Sequence, residues 1–230
     1  MRSALLDRFH PAIRDWFVSE LGAPSPPQVM GWPKIREHRN TLILAPTGSG
    51  KTLASFLVCI DELVKKLSEA DGWAPVAGVE GGRARRRGPM VLYVSPLKAL
   101  NYDIERNLRR PLRGIASAAG RLGLSLPAID VGVRTGDTPD RERQRMVRRP
   151  PHILITTPES LHLMLTGSAR EILRDVEYVI VDEIHSVCRE KRGVFLSLVL
   201  ERLTHNIGRD PVRIGLSATM RPLDLVAAYL

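Results

Sequence analysis

The sequence of 230 residues is 43% hydrophobic, carries a formal net charge of +9 and has a pI near 10.1. That suits one soluble α/β domain, or two small ones, and its cation surplus points to a polyanion, above all nucleic acid, or to a proteome whose surfaces are all basic. Cys59 and Cys188 lie far apart without a CxxC pair, the N-terminus has no signal-peptide core and no run approaches about 18 apolar residues, so no zinc, disulfide, secretion or membrane span is expected and the cytoplasm follows as the default.

In chain order, short apolar runs predict strands at 41–45, 90–95, 129–133, 152–156, 177–182 and 212–217. Several are apolar at every position, as strands of a parallel sheet are when helices cover both faces. Helical patterns fill 51–68, 98–109, 139–148, 158–165, 193–206 and 222–230. The alternation predicts a single doubly wound, three-layer domain with a mostly parallel sheet. The segment GVFLSLVLERL is apolar almost all round and reads as well buried. ADGWAPVAGVEGGRARRRG (70–88) breaks the pattern and reads as a mobile surface loop over 70–89, its arginines either solvated or touching phosphates. In DRERQRMVRR, Arg141, Arg145 and Arg148 fall on one helix face, where a solvated surface with some ion pairing is the expected state. Lys191 and Arg192 are open to the same two readings.

Three motifs carry chemistry. APTGSGKT (45–52) joins a strand to a helix. Backbone N–H groups around Thr47, Gly48, Ser49 and Gly50 are suited to close on phosphates, Lys51 to reach the β- and γ-phosphates, and the Thr52 hydroxyl to bind Mg²⁺. The first position is Ala45 where the strict pattern has glycine. VIVDEIH (179–185) sets Asp182 and Glu183 at the end of an apolar strand. An acidic pair there commonly caps a helix, but with a P-loop upstream Asp182 is expected to hold Mg²⁺ and Glu183 to orient or deprotonate the attacking water. His185 is either a core histidine or a coupler between the nucleotide and Ser217 and Thr219 of SAT, near the end of the chain. A P-loop by itself also fits a kinase, but the remaining loops are spent on SPLKALN, TTPES and SAT.

APTGSGKT, DEIH and SAT in this order resemble the first RecA-like domain of a superfamily 2 helicase of the DExH type. FHPAIRDWF, PPQVMGWP, SPLKALNYDIERNLRRPL, VRTGDTPDRERQRMVRRPPHILITTPESLHLML and VDEIHSVCREKRGVFLSLVLERL extend the resemblance to the large helicase-related (Lhr) family nearly end to end, apart from the 70–88 loop. The resemblance implies an ATP- and Mg²⁺-dependent motor domain acting on single-stranded DNA or RNA. It implies that Gln28 reads the adenine edge, against the plainer reading of a polar residue at a turn. It leaves Phe9 as a base-stacking or core residue. It gives Ser95, Lys98, Arg134 and Thr157 phosphate contacts, in a geometry that serves helix capping equally. It implies a second RecA-like domain supplying an arginine finger, whose motifs are not among these residues. These 230 residues by themselves are therefore expected to bind ATP, hydrolyse it slowly and unwind nothing. A non-catalytic, ATP-dependent nucleic-acid-binding module is the alternative.

Overall fold

The structure, a computed structural model, describes residues 2–46, 48–69, 87–95, 98–186 and 191–218, without the side chains of 2, 3, 98–103 and 106. Thr47, Cys188, Thr219, most of the 70–89 loop and the helix expected at 222–230 lie outside the described residues.

Six strands, β1 (Thr41–Leu44), β2 (Val91–Val94), β3 (Val131–Arg134), β4 (Ile153–Thr156), β5 (Tyr178–Val181) and β6 (Val212–Ser217), form one sheet in the order β1-β6-β5-β2-β4-β3. Every pairing is parallel. Side chains alternate between the faces. Tyr93, Ile155, Ile180 and Ile214 enter one apolar cluster; Leu92, Leu154, Val179 and Val181 enter the other. This period of two on a doubly covered sheet explains why the strands read as unbroken apolar runs.

The first cluster is covered by α2 (Pro11–Leu21), α3 (Pro26–Arg36), α4 (Lys51–Ser68) and α5 (Lys98–Arg121), preceded by the short α1 (Arg2–Leu6). The second is covered by α7 (Pro158–Thr166), a 3₁₀ segment (Ser168–Asp175) and α8 (Lys191–Ile207). Between β3 and β4 runs α6 (Asp140–Arg148), and a second 3₁₀ turn (Ile184–Ser186) follows β5. The layers are those expected of a doubly wound domain. Three corrections concern helices. First, α5 does not stop near 109: it passes through Pro111 to Arg121. Its packing against α2 holds it there. At Gly114 a Cβ atom would come within 2.2 Å of Trp16 Nε1, so only glycine lets the two helices approach this closely. Second, α1, α2, α3 and the 3₁₀ segment after α7 have no counterpart in the sequence expectations. Third, α8 buries Leu196, Val199, Leu200 and Leu203 but leaves Val194 and Leu198 each 60% exposed. It lies on the outside of the sheet and needs only one apolar stripe.

The N-terminal helices are bound to this frame by aromatic and ionic contacts. Phe9 and Phe17 meet Trp32 edge to face at 4.9 and 5.5 Å, and the Arg36 guanidinium sits 4.3 Å above the Phe9 ring. Phe9 is thus a core residue. Arg36 also reaches Asp61 Oδ2 at 2.8 Å. Asp61 is fully buried, and it further accepts from the His10 backbone N–H at 2.7 Å and pairs with Lys65 at 2.9 Å. A carboxylate removed from water persists only with this much compensation. It joins the start of α2, the end of α3 and the middle of α4.

Candidate nucleotide site and nucleic-acid face

All six strands point the same way, so the loops at their C-terminal ends share one edge of the sheet. Because β6 lies between β1 and β5, the loops after β1, β5 and β6 are side by side although APTGSGKT (45–52) is far in sequence from DEIH (182–185) and from SAT, which starts at Ser217. Crevices at the carboxyl ends of such strands are where α/β sheets bind ligands.

The loop after β1 enters α4 through two glycines in the left-handed region, Gly48 at φ 80° and Gly50 at φ 82°. A side chain at Gly50 would be strained, and its Cβ would stand 3.0 Å from Gln28 Nε2 and 3.4 Å from Ser25 Oγ. The N-terminus of α3 therefore packs directly on the loop. Gln28 is 4% exposed, and its Oε1 accepts from the Ser25 N–H at 2.9 Å. Its amide oxygen is engaged in starting α3, and its amide nitrogen faces the loop. Lys51 is 5% exposed, with Nζ 3.4 Å from the Ala45 carbonyl and 3.7 Å from Glu183 Oε1. Ser49 Oγ is buried without a hydrogen-bond partner, as a group in a cradle for an absent anion is. The first N–H groups of α4 have no partner inside the helix and carry its positive dipole end.

Asp182 and Glu183 face this loop from the end of β5. Tyr93 on neighbouring β2 donates its hydroxyl to Asp182 Oδ2, and the Glu183 N–H donates to Asp182 Oδ1 at 2.9 Å. Burial holds the Asp182 carboxyl above its usual range, against the pull of the Tyr93 hydrogen bond. Glu183 has φ 48°, a conformation a non-glycine residue adopts only when its surroundings enforce it. It turns the carboxylate back between Lys51 and His185, with Oε2 3.2 Å from His185 Nε2. On the other side of the ring, Nδ1 accepts from the Ala218 N–H at 3.3 Å and lies 3.2 Å from Ser217 Oγ. An accepting Nδ1 places the imidazole proton on Nε2, where it is donated to Glu183. The structure thus brings Lys51, Glu183, His185 and Ser217 into one continuous chain of contacts across β1, β5 and β6.

A cleft of about 480 Å³ opens above these groups. One wall is Gly48, Gly50, Lys51, Thr52, Asp182 and Glu183; the other is mostly apolar, with Trp16, Phe56, Leu108 and Pro111, and carries Glu20, Asn107 and Arg110 as well. Mg²⁺ fits the polar wall. Thr52, Asp182 and Glu183 share the cleft, and no group of three metal-binding side chains occurs among the described residues. One carboxylate plus phosphates and waters is the usual holding set for Mg²⁺.

The other three strand ends carry the residues assigned to nucleic acid. Ser95 is buried, and its N–H donates to the Thr156 carbonyl at 3.0 Å. Lys98 opens α5; its side chain is not described. Thr157 is 1% exposed, and its hydroxyl accepts from the Ser160 N–H at 3.2 Å, capping α7. Arg134 is the last residue of β3, which begins and ends later than the 129–133 expected. Its carbonyl accepts from the Thr156 hydroxyl at 2.7 Å, while its guanidinium Nη1 is buried without a partner. Burial, then the like charge of Arg143, draws the Arg134 guanidinium below its usual value.

Two residues of the site were not singled out from the sequence. Tyr93 is one of two aromatic residues in the described strands, with Tyr178, and only the β2–β5 pairing places it beside Asp182. Arg143 donates to the Gly136 carbonyl at 2.7 Å and closes the turn after β3. Its place between Arg141 and Arg145 hides it in a run of arginines.

Residues 25–226 match the DEAD/DEAH box helicase family. The chain is 52% identical over 225 residues to the Lhr helicase/probable uracil glycosylase of Mycolicibacterium smegmatis, covering 98% of this chain and 14% of that protein. It is 47% identical over 219 residues to the ATP-dependent helicase Lhr-Core of Methanocaldococcus jannaschii, covering 95% of this chain and 24% of that one. Among solved structures, it resembles Mycobacterium smegmatis helicase Lhr bound to ssDNA and AMP-PNP, with TM-score 0.86, 51% identity, 98% of this chain covered and 27% of the other. The DEAD-box helicase Mss116 bound to ssRNA and UDP-BeF shares the fold, with TM-score 0.73, 18% identity, 96% of this chain covered and 41% of the other. The chain thus spans a seventh to a quarter of the length of these curated relatives, and it belongs to the DEAD/DEAH box helicase family.

Proposed function

We propose that the chain is the ATP- and nucleic-acid-binding first motor domain of an Lhr-like helicase, one that couples ATP hydrolysis to movement along a single strand when joined to a second RecA-like domain. The observation that carries this reading is the contact chain from Lys51 through Glu183 and His185 to Ser217. It links the phosphate loop to a third strand end through side chains alone.

In this reading the N–H groups of 48–52 and the Lys51 ammonium hold the β- and γ-phosphates. Thr52 and Asp182 hold Mg²⁺, which when bound neutralises charge on the phosphates. Lys51 leaves Glu183 to meet phosphate, and Glu183 is then free to orient the attacking water. His185 senses that change through Nε2 and passes it to Ser217 and Thr219. Gln28 positions the adenine with its amide nitrogen. Ser95, Lys98, Arg134 and Thr157 grip backbone phosphates without reading bases. A supplied arginine from the second domain completes charge neutralisation in the transition state.

The test is titration of the 230-residue chain with ATP·Mg²⁺ and with single strands. The reading expects ATP binding that Lys51→Ala removes and strand binding that does not depend on sequence. Retained ATP affinity in Lys51→Ala would refute it.

A further inference from the structure

The α6 helix divides its side chains sharply. Arg143, Met146 and Val147 turn inward, Arg143 onto the turn after β3 and the other two against the second apolar cluster. Arg141, Arg145 and Arg148, together with Arg149 just beyond the helix, are exposed and line an open groove of about 560 Å³ with Glu142 and Gln144. None of these four arginines pairs with a carboxylate among the described residues. Many arginines elsewhere do pair: Arg121 has Asp15 at 2.8 Å, Arg192 has Glu159 at 2.6 Å and Arg213 has Glu201 at 2.8 Å. The ion pairing expected from the sequence for Arg141, Arg145 and Arg148 does not form among the described residues; the ion pair within α6 is that of the inward Arg143 with Asp140 at 3.7 Å.

Arg141, Arg145 and Arg148 on the helix and Arg149 just past it repel one another, and the only acids on this stretch, Asp140 and Glu142, leave it net positive. Their lining contains no aromatic side chain, so the groove offers no platform on which an unstacked base could rest. What it offers is a row of guanidinium forks along about 10 Å of helix from Arg141 to Arg148. B-form duplex carries about one charge per 1.7 Å of axis, with its bases stacked inside. Position adds to this. α6 starts three residues after the turn that Arg143 closes, beside Arg134 at the edge strand of the sheet, and runs back from the strand ends.

We propose that the outer face of α6 docks the phosphate backbone of a duplex arm flanking the single strand held at the strand ends. The proposal rests on the nucleic-acid reading above and adds a second contact surface to it. Its function is to hold the duplex against the side of the motor while the strand track is gripped and released.

The test compares the chain with its Arg141→Gln/Arg145→Gln/Arg148→Gln variant. Three probes are used: a blunt duplex of about 20 base pairs, a tailed duplex with the same stem, and a single strand of about 12 nucleotides, each titrated across a salt series. At moderate salt the variant is expected to bind both duplex probes about tenfold or more weakly, and its salt slope on them falls by about 2 to 3, near 0.9 for each phosphate no longer neutralised. Its affinity for the single strand stays within about twofold, and replacing the three residues with lysine restores most of the slope. An unchanged melting temperature shows that the exposed substitutions leave the fold intact. Equal weakening on all three probes would overturn the proposal by showing only a general loss of charge. An unchanged duplex slope, or no duplex binding by the unaltered chain, would overturn it as well. Arg134→Ala, read on the single strand, reports separately: if that affinity is absent or indifferent to Arg134, the strand-grip reading falls.

Discussion

The two halves of the sheet edge are built differently. At the ends of β1, β6 and β5, side chains contact side chains: Lys51 with Glu183, Glu183 with His185, His185 with Ser217, and Tyr93 with Asp182. At the ends of β2, β4 and β3, side chains contact the backbone: Thr157 caps α7, Thr156 holds the Arg134 carbonyl, and Arg143 holds the Gly136 carbonyl. The first half is tied together through its own side chains, and its Glu183 is held in a left-handed conformation to reach them. The second half keeps its loops in shape and leaves a buried guanidinium nitrogen of Arg134 unpartnered. Chemistry at a phosphoryl group depends on placement within fractions of an ångström, which a linked set of side chains supplies. A grip on any strand depends on charge and on N–H groups that ignore the bases, for which shaped loops suffice.

If this contrast holds, the largest effect lies in turnover. The 230 residues by themselves should hydrolyse ATP about 10³–10⁵-fold more slowly than when an arginine is supplied to the γ-phosphate from a second domain. Steady-state phosphate release with and without single strand measures this. Robust stimulated hydrolysis that Glu183→Gln abolishes would show that the first half is complete as it stands.

The bracing of that half is tested next. Asp61→Ala removes the buried carboxylate that holds Arg36, Lys65 and the His10 N–H, leaving the two cations only Glu62, and should cost about 3 kcal/mol of unfolding free energy. Denaturant titration reads it directly, and a decrease under about 1 kcal/mol would mean that the N-terminal helices do not brace the P-loop helix.

Ligand binding follows in size. Lys51→Ala should weaken ATP·Mg²⁺ by about 1.5–3 kcal/mol for each hydrogen bond to phosphate that it removes, with an unchanged circular dichroism spectrum. His185→Ala should leave ATP affinity within about threefold, because the imidazole touches Glu183 and not the phosphate loop, yet remove stimulation of turnover by a single strand. If ATP affinity falls as far as in Lys51→Ala, His185 belongs to the binding site and not to a relay.

The smallest effect belongs to the second half. Arg134→Ala should lower affinity equally for all single-strand sequences and reduce the salt slope by about 0.7, one phosphate's share. A sequence-dependent decrease would mean that this half reads bases.

The residues legible in advance were those whose chemistry is local. The glycines of the P-loop, Lys51, the DEIH acids and the apolar strand runs announce themselves because a phosphate cradle and a doubly covered strand each demand a short contiguous pattern. The layers and the parallel sheet followed from the same alternation. The N-terminal helices were less legible: α2 buries Ala12, Ile13, Trp16 and Phe17 on one narrow face, and α3 carries prolines at 26, 27 and 33. Their stability comes from Trp32 and Asp61, which meet them from elsewhere in the chain. The continuation of α5 past Pro111 likewise depends on Trp16 seated over Gly114.

The sequence by itself determined the class of fold and marked the P-loop and DEIH as candidate nucleotide residues, since both are written in periods of two to eight residues. Only the tertiary structure decided who meets whom. The order β1-β6-β5-β2-β4-β3 brings Ser217 to His185, Tyr93 to Asp182 and Arg134 beside Thr156. It also decided which arginines are paired. A charge in a sequence has no partner until the fold sets another charge within about 4 Å, and on the outer face of α6 it sets none among the described residues.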